Sequence, residues 1–121
     1  MKIGVSSYSF IRLINNGSMN QLDIISKAKE MGFDVIEFAG LIPTEGETPE
    51  SFAEKVKAEC DRVGIEMGNY TIAADFLNGS NGDWQAEVER LKGEVRIAHI
   101  LGAPGMRHDS TWGVPASCKG A

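Results

Sequence analysis

Three times along this chain a helical stretch ends in a glycine and a short strand begins at once. The segments are Met31-Gly32-Phe33, Val63-Gly64-Ile65 and Leu101-Gly102-Ala103, with the glycines 32 and 38 residues apart. Each interval holds one strand, one helix and two loops. A glycine just past a helix adopts the left-handed conformation that satisfies the last carbonyls without a Cβ penalty. Strands alternating with single amphipathic helices are joined by right-handed crossovers and pair in parallel. The repeat therefore restricts the chain to an α/β architecture with a parallel sheet.

The spacing predicts three helices. The first covers about Met19 to Met31, with Ser18 and Gln21 as an S-x-x-Q capping box and Leu22, Ile25, Ala28 and Met31 as its apolar stripe. The second has Thr48 as its cap, Pro49 in the first turn and Phe52, Val56, Cys60 and Val63 on its buried face. The third begins near Asp83 and carries Trp84, Val88, Leu91, Val95 and Ala98 at helical spacing, which reads as core packing. Strands are expected at Lys2–Tyr8, Asp34–Phe38, Ile65–Ile72 and Ala103–Asp109. Two loops are long, one with Asn15-Asn16-Gly17 and one with Asn78-Gly79-Ser80-Asn81-Gly82. Both follow strands, the side on which β/α enzymes place their sites.

Composition narrows the partners. Twelve basic residues against seventeen acidic give a formal charge of -5, with no basic stripe for a phosphate backbone, so nucleic acid is not an expected partner. No apolar run approaches the roughly 20 residues of a membrane span. The chain opens on Met1-Lys2-Ile3-Gly4-Val5, an apolar strand pattern rather than a signal peptide. Cys60 and Cys118 form no metal-like cluster and read as reduced thiols, so a cytoplasmic setting is expected.

Strands buried under helices on both faces are continuous apolar runs. These strands alternate instead. Ile3 and Val5 alternate with Gly4 and Ser6, then Tyr8; Ile36 and Phe38 flank Glu37; Ile65 and Met67 alternate with Glu66, Gly68 and Tyr70. In the fourth, Met106 and His108 share one face and Gly105, Arg107 and Asp109 the other. A period of two sorts each strand into an apolar set for the helices and a small or polar set for another surface. Ser6, Tyr8, Glu37, Tyr70, Arg107 and Asp109 are thereby expected on one rim, with His108 replacing Arg107 and Asp109 if the fourth strand slips by one residue. Glu37 in an apolar strand needs a partner, and Arg107 is the candidate. The rim reads either as an ion pair closing a barrel interior or as a binding site for a polyol or phosphate.

The stretches KIGVSSYSF, GFDVIEF, YTIAADFLNGS and LGAPGMRHDSTWG, in this order and spacing, resemble the xylose-isomerase-like superfamily of barrel enzymes. The resemblance covers nearly the whole chain and implies the first four strands and three helices of a (β/α)8 TIM barrel. Residues 1–121 would then be a single incomplete domain, the N-terminal half of a barrel of about 250 residues. It implies a sugar or sugar-phosphate isomerase or epimerase, with a small carbohydrate substrate and metal-dependent proton transfer. The divalent metal (Mn, Mg or Zn) belongs to the full-length form, because its glutamate, aspartate and histidine ligands come mostly from the second half. Glu37, Arg107 and Tyr8 match only supporting positions. After Trp112-Gly113 the chain runs to Ala121, where the resemblance places the start of the next helix. No catalytic residue and no tightly bound cofactor are expected in this chain, and alone it is expected to be inactive.

Two other readings remain open. One is a small non-catalytic α/β binding module with a doubly wound sheet, against which no G-x-G-x-x-G follows the first strand. The other is a self-associating half-barrel scaffold, since four strands leave two open edges.

Overall fold

The computed structural model describes residues 1–114. The expectations for Cys118 and for the start of a further helix lie outside these residues. The chain forms β1 (Gly4–Ser6), a 3₁₀ turn (Ser7–Phe10), α1 (Ile11–Asn15) and α2 (Gln21–Glu30). There follow β2 (Val35–Ala39), α3 (Pro49–Val63), β3 (Glu66–Ile72), a 3₁₀ turn (Gly79–Gly82), α4 (Trp84–Leu101) and β4 (Met106–His108).

All strand pairs are parallel and the sheet order is β1-β2-β3-β4. The helices α2, α3 and α4 pack side by side in the same succession. Their apolar faces share one core with Ile36, Phe38 and Tyr70. Ile24, Ile25, Phe52, Val56 and Leu101 are fully buried in it. Each such side chain contributes about 1.5–3 kcal/mol relative to exposure. The sheet is thus wound in one sense, with its long helices in one layer. The opposite face, which carries Ser6, Val35, Glu37 and Gly68, bears no helix among the described residues. No helix among them is long and apolar enough to cross a membrane.

Local chemistry explains the boundaries. Gly64 and Gly102 close α3 and α4 in the left-handed conformation, at φ 77° and 72°, and Gly32 past α2 stands at φ 95°. Thr48 caps α3 through Ser51 N–H, with Pro49 in the first turn. The α2 cap differs from the sequence expectation. Asn20, not Ser18, accepts from Asp23 N–H, and Asp23 accepts from Asn20 N–H, a reciprocal box two residues later. The buried face of α2 is Gln21, Ile24, Ile25 and Ala28, while Met31, expected on the apolar stripe, lies past the helix end and is exposed. Gln21 then bridges the β2–α3 loop, donating to Gly40 O (3.1 Å) and accepting from Ile42 N–H (2.7 Å).

Other expectations change too. The first strand stops at Ser6 because its hydroxyl accepts from Tyr8 N–H and starts the 3₁₀ turn. The long loop after it contains α1, a fourth helix. Trp84 and Val95 are not core. They are 58% and 55% exposed.

Candidate functional site

The deciding irregularity lies between β2 and β3. Ile36 pairs with Met67, yet Phe38 pairs with Tyr70, so two steps along β2 match three along β3. The extra residue is a β-bulge at Gly68–Asn69. Before it, Gly68 lies on the open face: a Cβ there would stand 3.1 Å from Val35 Cγ1 and 3.2 Å from Glu37 Cβ. After it, the alternation inverts. Tyr70 drops beneath the helices beside Phe38, with 2% of its surface exposed.

The inversion corrects the expectation that Tyr70 shares a rim with Glu37. Tyr70 instead crosses the layer to α4, and its hydroxyl donates to Glu94 Oε2 at 2.6 Å. Burial, reinforced by the Glu94 carboxylate, raises its phenol well above the ordinary range. Register beyond the bulge sets Arg107 opposite Thr71 and His108 opposite Ile72. The fourth strand thus keeps the expected alternation.

The candidate residues divide between two hollows. At the carboxyl end of the sheet lies a cleft of about 630 Å³, lined by Tyr8, Tyr70, Arg107 and Asp109 from the expected set. Arg90, Glu94 and Trp112 also line it. Ser6 and Glu37 instead line a smaller hollow of about 230 Å³ on the open face, with Gly4, Val35 and Gly68. His108 lines neither. Its ring meets Phe76 edge-on at 6.0 Å, and Nδ1 lies 2.7 Å from Asp109 O.

The proposed Glu37–Arg107 ion pair does not form. Arg107 reaches Asp109 at 3.5 Å and leaves 73% of its side chain exposed. Glu37 has no hydrogen-bond or ion-pair partner among the described residues. Arg107 is therefore the available cation of the cleft, since Arg90 is anchored. Arg90 donates to Ala73 O (2.7 Å) and, through Nε, to Glu87 Oε1 (3.0 Å). The Arg90 hydrogen bond, helped by Ser80, lowers the Glu87 carboxyl pKa against the opposing effect of desolvation.

The β3–α4 loop is held to the segment after β4 by Phe76 N–H donating to Ser110 O (2.9 Å), by Asn78 Nδ2 donating to Gly113 O (3.3 Å) and by the carboxylate of Asp75. Asp75 accepts from the amides of Leu77 (3.1 Å) and Asn78 (3.0 Å) and from Thr111 Oγ1 (3.0 Å). Desolvation pushes its pKa up, but the Asn78, Thr111 and Leu77 bonds outweigh it and hold it at about 2. The same carboxylate accepts from Trp112 N–H (3.4 Å), which sets the Trp112 ring, 72% exposed, beside the cleft. Within the loop, Ser80 and Asn81 adopt left-handed φ of 53° and 58°, a strain offset in part by the Ser80–Glu87 bond (2.8 Å).

Sequence reasoning missed Arg90, Glu94 and Trp112. Glu94 sits three residues after Leu91, but helical spacing shows only that it borders the buried stripe. Its tyrosine partner depends on the bulge. Cys60 is a buried free thiol that desolvation raises to about 12, a packing residue of α3.

Glu37, His108 and Asp109, the chain's ligand-type side chains on the expected rim, do not come together. No three histidine, cysteine, aspartate or glutamate side chains converge among the described residues, and the three named face different surroundings. The chain matches no protein-family model and no curated protein. What the cleft does offer is the exposed guanidinium of Arg107 beside the Asp109 carboxylate, the carboxylate of Glu94 and the rings of Tyr8 and Trp112. Such a mixture of apolar surface and a few directed polar groups suits a small ligand with several hydroxyls or an anionic group.

Proposed function

We propose that this chain forms the first four β/α units of a (β/α)8 barrel of the xylose-isomerase-like kind, and that its cleft holds a small carbohydrate, a sugar or sugar phosphate. The observation that carries the reading is the winding of the sheet. Strands follow one another in sequence order and the long helices keep to one layer. A doubly wound binding module would reverse strand order and cover both faces. In a β/α barrel, by contrast, consecutive strands are neighbours, helices lie outside, and the site sits at the carboxyl ends.

In this reading Arg107 receives the ligand's anionic group or a hydroxyl, Asp109 and Glu94 accept hydroxyl protons, and Tyr8 and Trp112 cover its apolar face. Tyr70 does not touch the ligand; it orients Glu94. Glu37 and Ser6 line the barrel interior below the mouth. Proton transfer at carbon and its divalent metal (Mn, Mg or Zn) belong to the full-length form, and this chain binds without turnover. A reducing cytoplasmic setting is part of the same reading.

Saturation-transfer NMR with a panel of aldoses, ketoses and their phosphates tests it. Saturable binding that favours phosphorylated sugars and is lost in Arg107→Met is the expected result. No saturable binding to any member, or equal binding by Arg107→Met, overturns it.

A further inference from the structure

Two oppositely charged side chains of α4 line the cleft together and do not pair. Arg90 and Glu94 are spaced i, i+4, the interval at which helix side chains are neighbours. Ile97, on the next turn of the same face, lines the cleft with them. Arg90 forms its ion pair with Glu87 instead, and none joins it to Glu94 among the described residues.

Each side chain is held by a different partner. Arg90 donates through Nε and Nη2 to Glu87, and through Nη2 to Ala73 O at 2.7 Å. Glu87 is itself buried, which fixes the guanidinium in place. Arg90 is kept protonated first by the Glu87 hydrogen bond, against desolvation, and then by the charges of Glu87 and Glu94. Its Nη1 has no hydrogen-bond partner among the described residues. Glu94 is held from the sheet, accepting from the Tyr70 hydroxyl at Oε2 (2.6 Å). Burial keeps that phenol protonated, so the bond persists at working pH. The other carboxylate oxygen, Oε1, has no partner among the described residues.

The cleft therefore contains an open donor beside an open acceptor. A guanidinium only donates, and an ionised carboxylate only accepts. An anionic group would be repelled by Glu94, and an ammonium by Arg90. A neutral hydroxyl both donates and accepts, and two on neighbouring carbons satisfy both open atoms at once. We propose that Arg90 and Glu94 form a clamp for a vicinal diol of the ligand, with Ile97 against its carbon chain. Tyr70 is a positioning residue that holds Glu94 off Arg90 and keeps the clamp open. The clamp rests on the reading of the cleft as a carbohydrate site, and it holds the ligand's neutral end where Arg107 receives the anionic one.

NMR titration of the ¹⁵N-labelled chain with ribitol tests the clamp. The comparison is 1,5-pentanediol, which has the same chain length but no adjacent hydroxyls. Ribitol should shift the Arg90 Nε–H signal saturably, and 1,5-pentanediol should not. Glu94→Gln places an amide donor where the acceptor stood. With an unchanged circular dichroism spectrum, it should weaken ribitol binding by about tenfold or more. Tyr70→Phe should weaken it too, because Glu94 then pairs with Arg90 and closes the clamp. Equal shifts with both compounds, or full ribitol binding by Glu94→Gln, would overturn the clamp, and full binding by Tyr70→Phe would overturn the positioning role. Ribitol carries no anionic group, so this outcome is separate from that for Arg107. Sugar phosphates bound through Arg107 without any response to ribitol would sink the clamp and leave the ligand assignment standing. A saturable, Glu94-dependent ribitol shift without preference for phosphorylated sugars would do the reverse.

Discussion

The hydroxyl of Tyr70 on β3 donates to the carboxylate of Glu94 on α4 at 2.6 Å, linking sheet to helix at the edge of the cleft. Because Tyr70 is buried and its partner is a carboxylate, this bond should be among the stronger side-chain contacts of the molecule. Tyr70→Phe should cost about 1.5–3 kcal/mol in urea denaturation. Tyr70→Phe combined with Glu94→Leu should recover part of that loss, since no carboxylate then lacks its donor. A single substitution within about 0.3 kcal/mol of the parent would show that the bond contributes nothing measurable.

Glu37 and Arg107 line separate hollows and do not meet. Their substitutions should therefore act independently. A double-mutant cycle with Glu37→Gln and Arg107→Met should be additive within about 0.5 kcal/mol. A larger coupling would bring the two side chains together in solution.

Gly64 and Gly93 predict opposite signs for the same substitution. Both have open space where a Cβ would stand, so packing does not decide either. Gly64 has φ 77°, and Gly64→Ala should destabilise by about 1–2 kcal/mol through left-handed strain. Gly93 lies inside α4, and Gly93→Ala should stabilise by about 0.8–1 kcal/mol. Thermal melts of the two variants should move in opposite directions; a shared direction would contradict this account of the α3 cap.

Asp75 should make the fold acid-sensitive in a defined window. Its carboxyl ordinarily titrates at 3.8 and in the fold at about 2. A lowered folded pKa adds stability that is complete above the ordinary value and lost as pH falls through the folded one. The melting-temperature gap between the parent and Asp75→Asn should be full at neutral pH and shrink between about 4 and 2. A gap that stays constant through that window would mean that Asp75 is not held by Asn78, Thr111 and Leu77.

Much of the architecture was legible in the residues. Gly32, Gly64 and Gly102 marked the helix ends, Thr48-Pro49 the start of α3, and apolar alternation the strands. All are local: a cap, a left-handed turn or a side-chain period depends on a few neighbours in the chain. Parity at the fourth strand was legible for the same reason. The α2 cap was misplaced because Ser18 and Asn20 both satisfy the local rule, and Asn20 with Asp23 forms the box.

The site depended on pairing between distant segments, and there a single residue of register decided the outcome. The bulge at Gly68–Asn69 exists only because β3 lies against β2. It moves Tyr70 from the expected rim to the helix layer and selects Glu94 as its partner. Which apolar side chains of α4 are covered likewise required the tertiary structure. Trp84 and Val95 have core-like spacing, but no neighbour among the described residues covers that side of α4. Periodicity tells which face of an element is apolar; only the packed neighbours determine whether that face is covered.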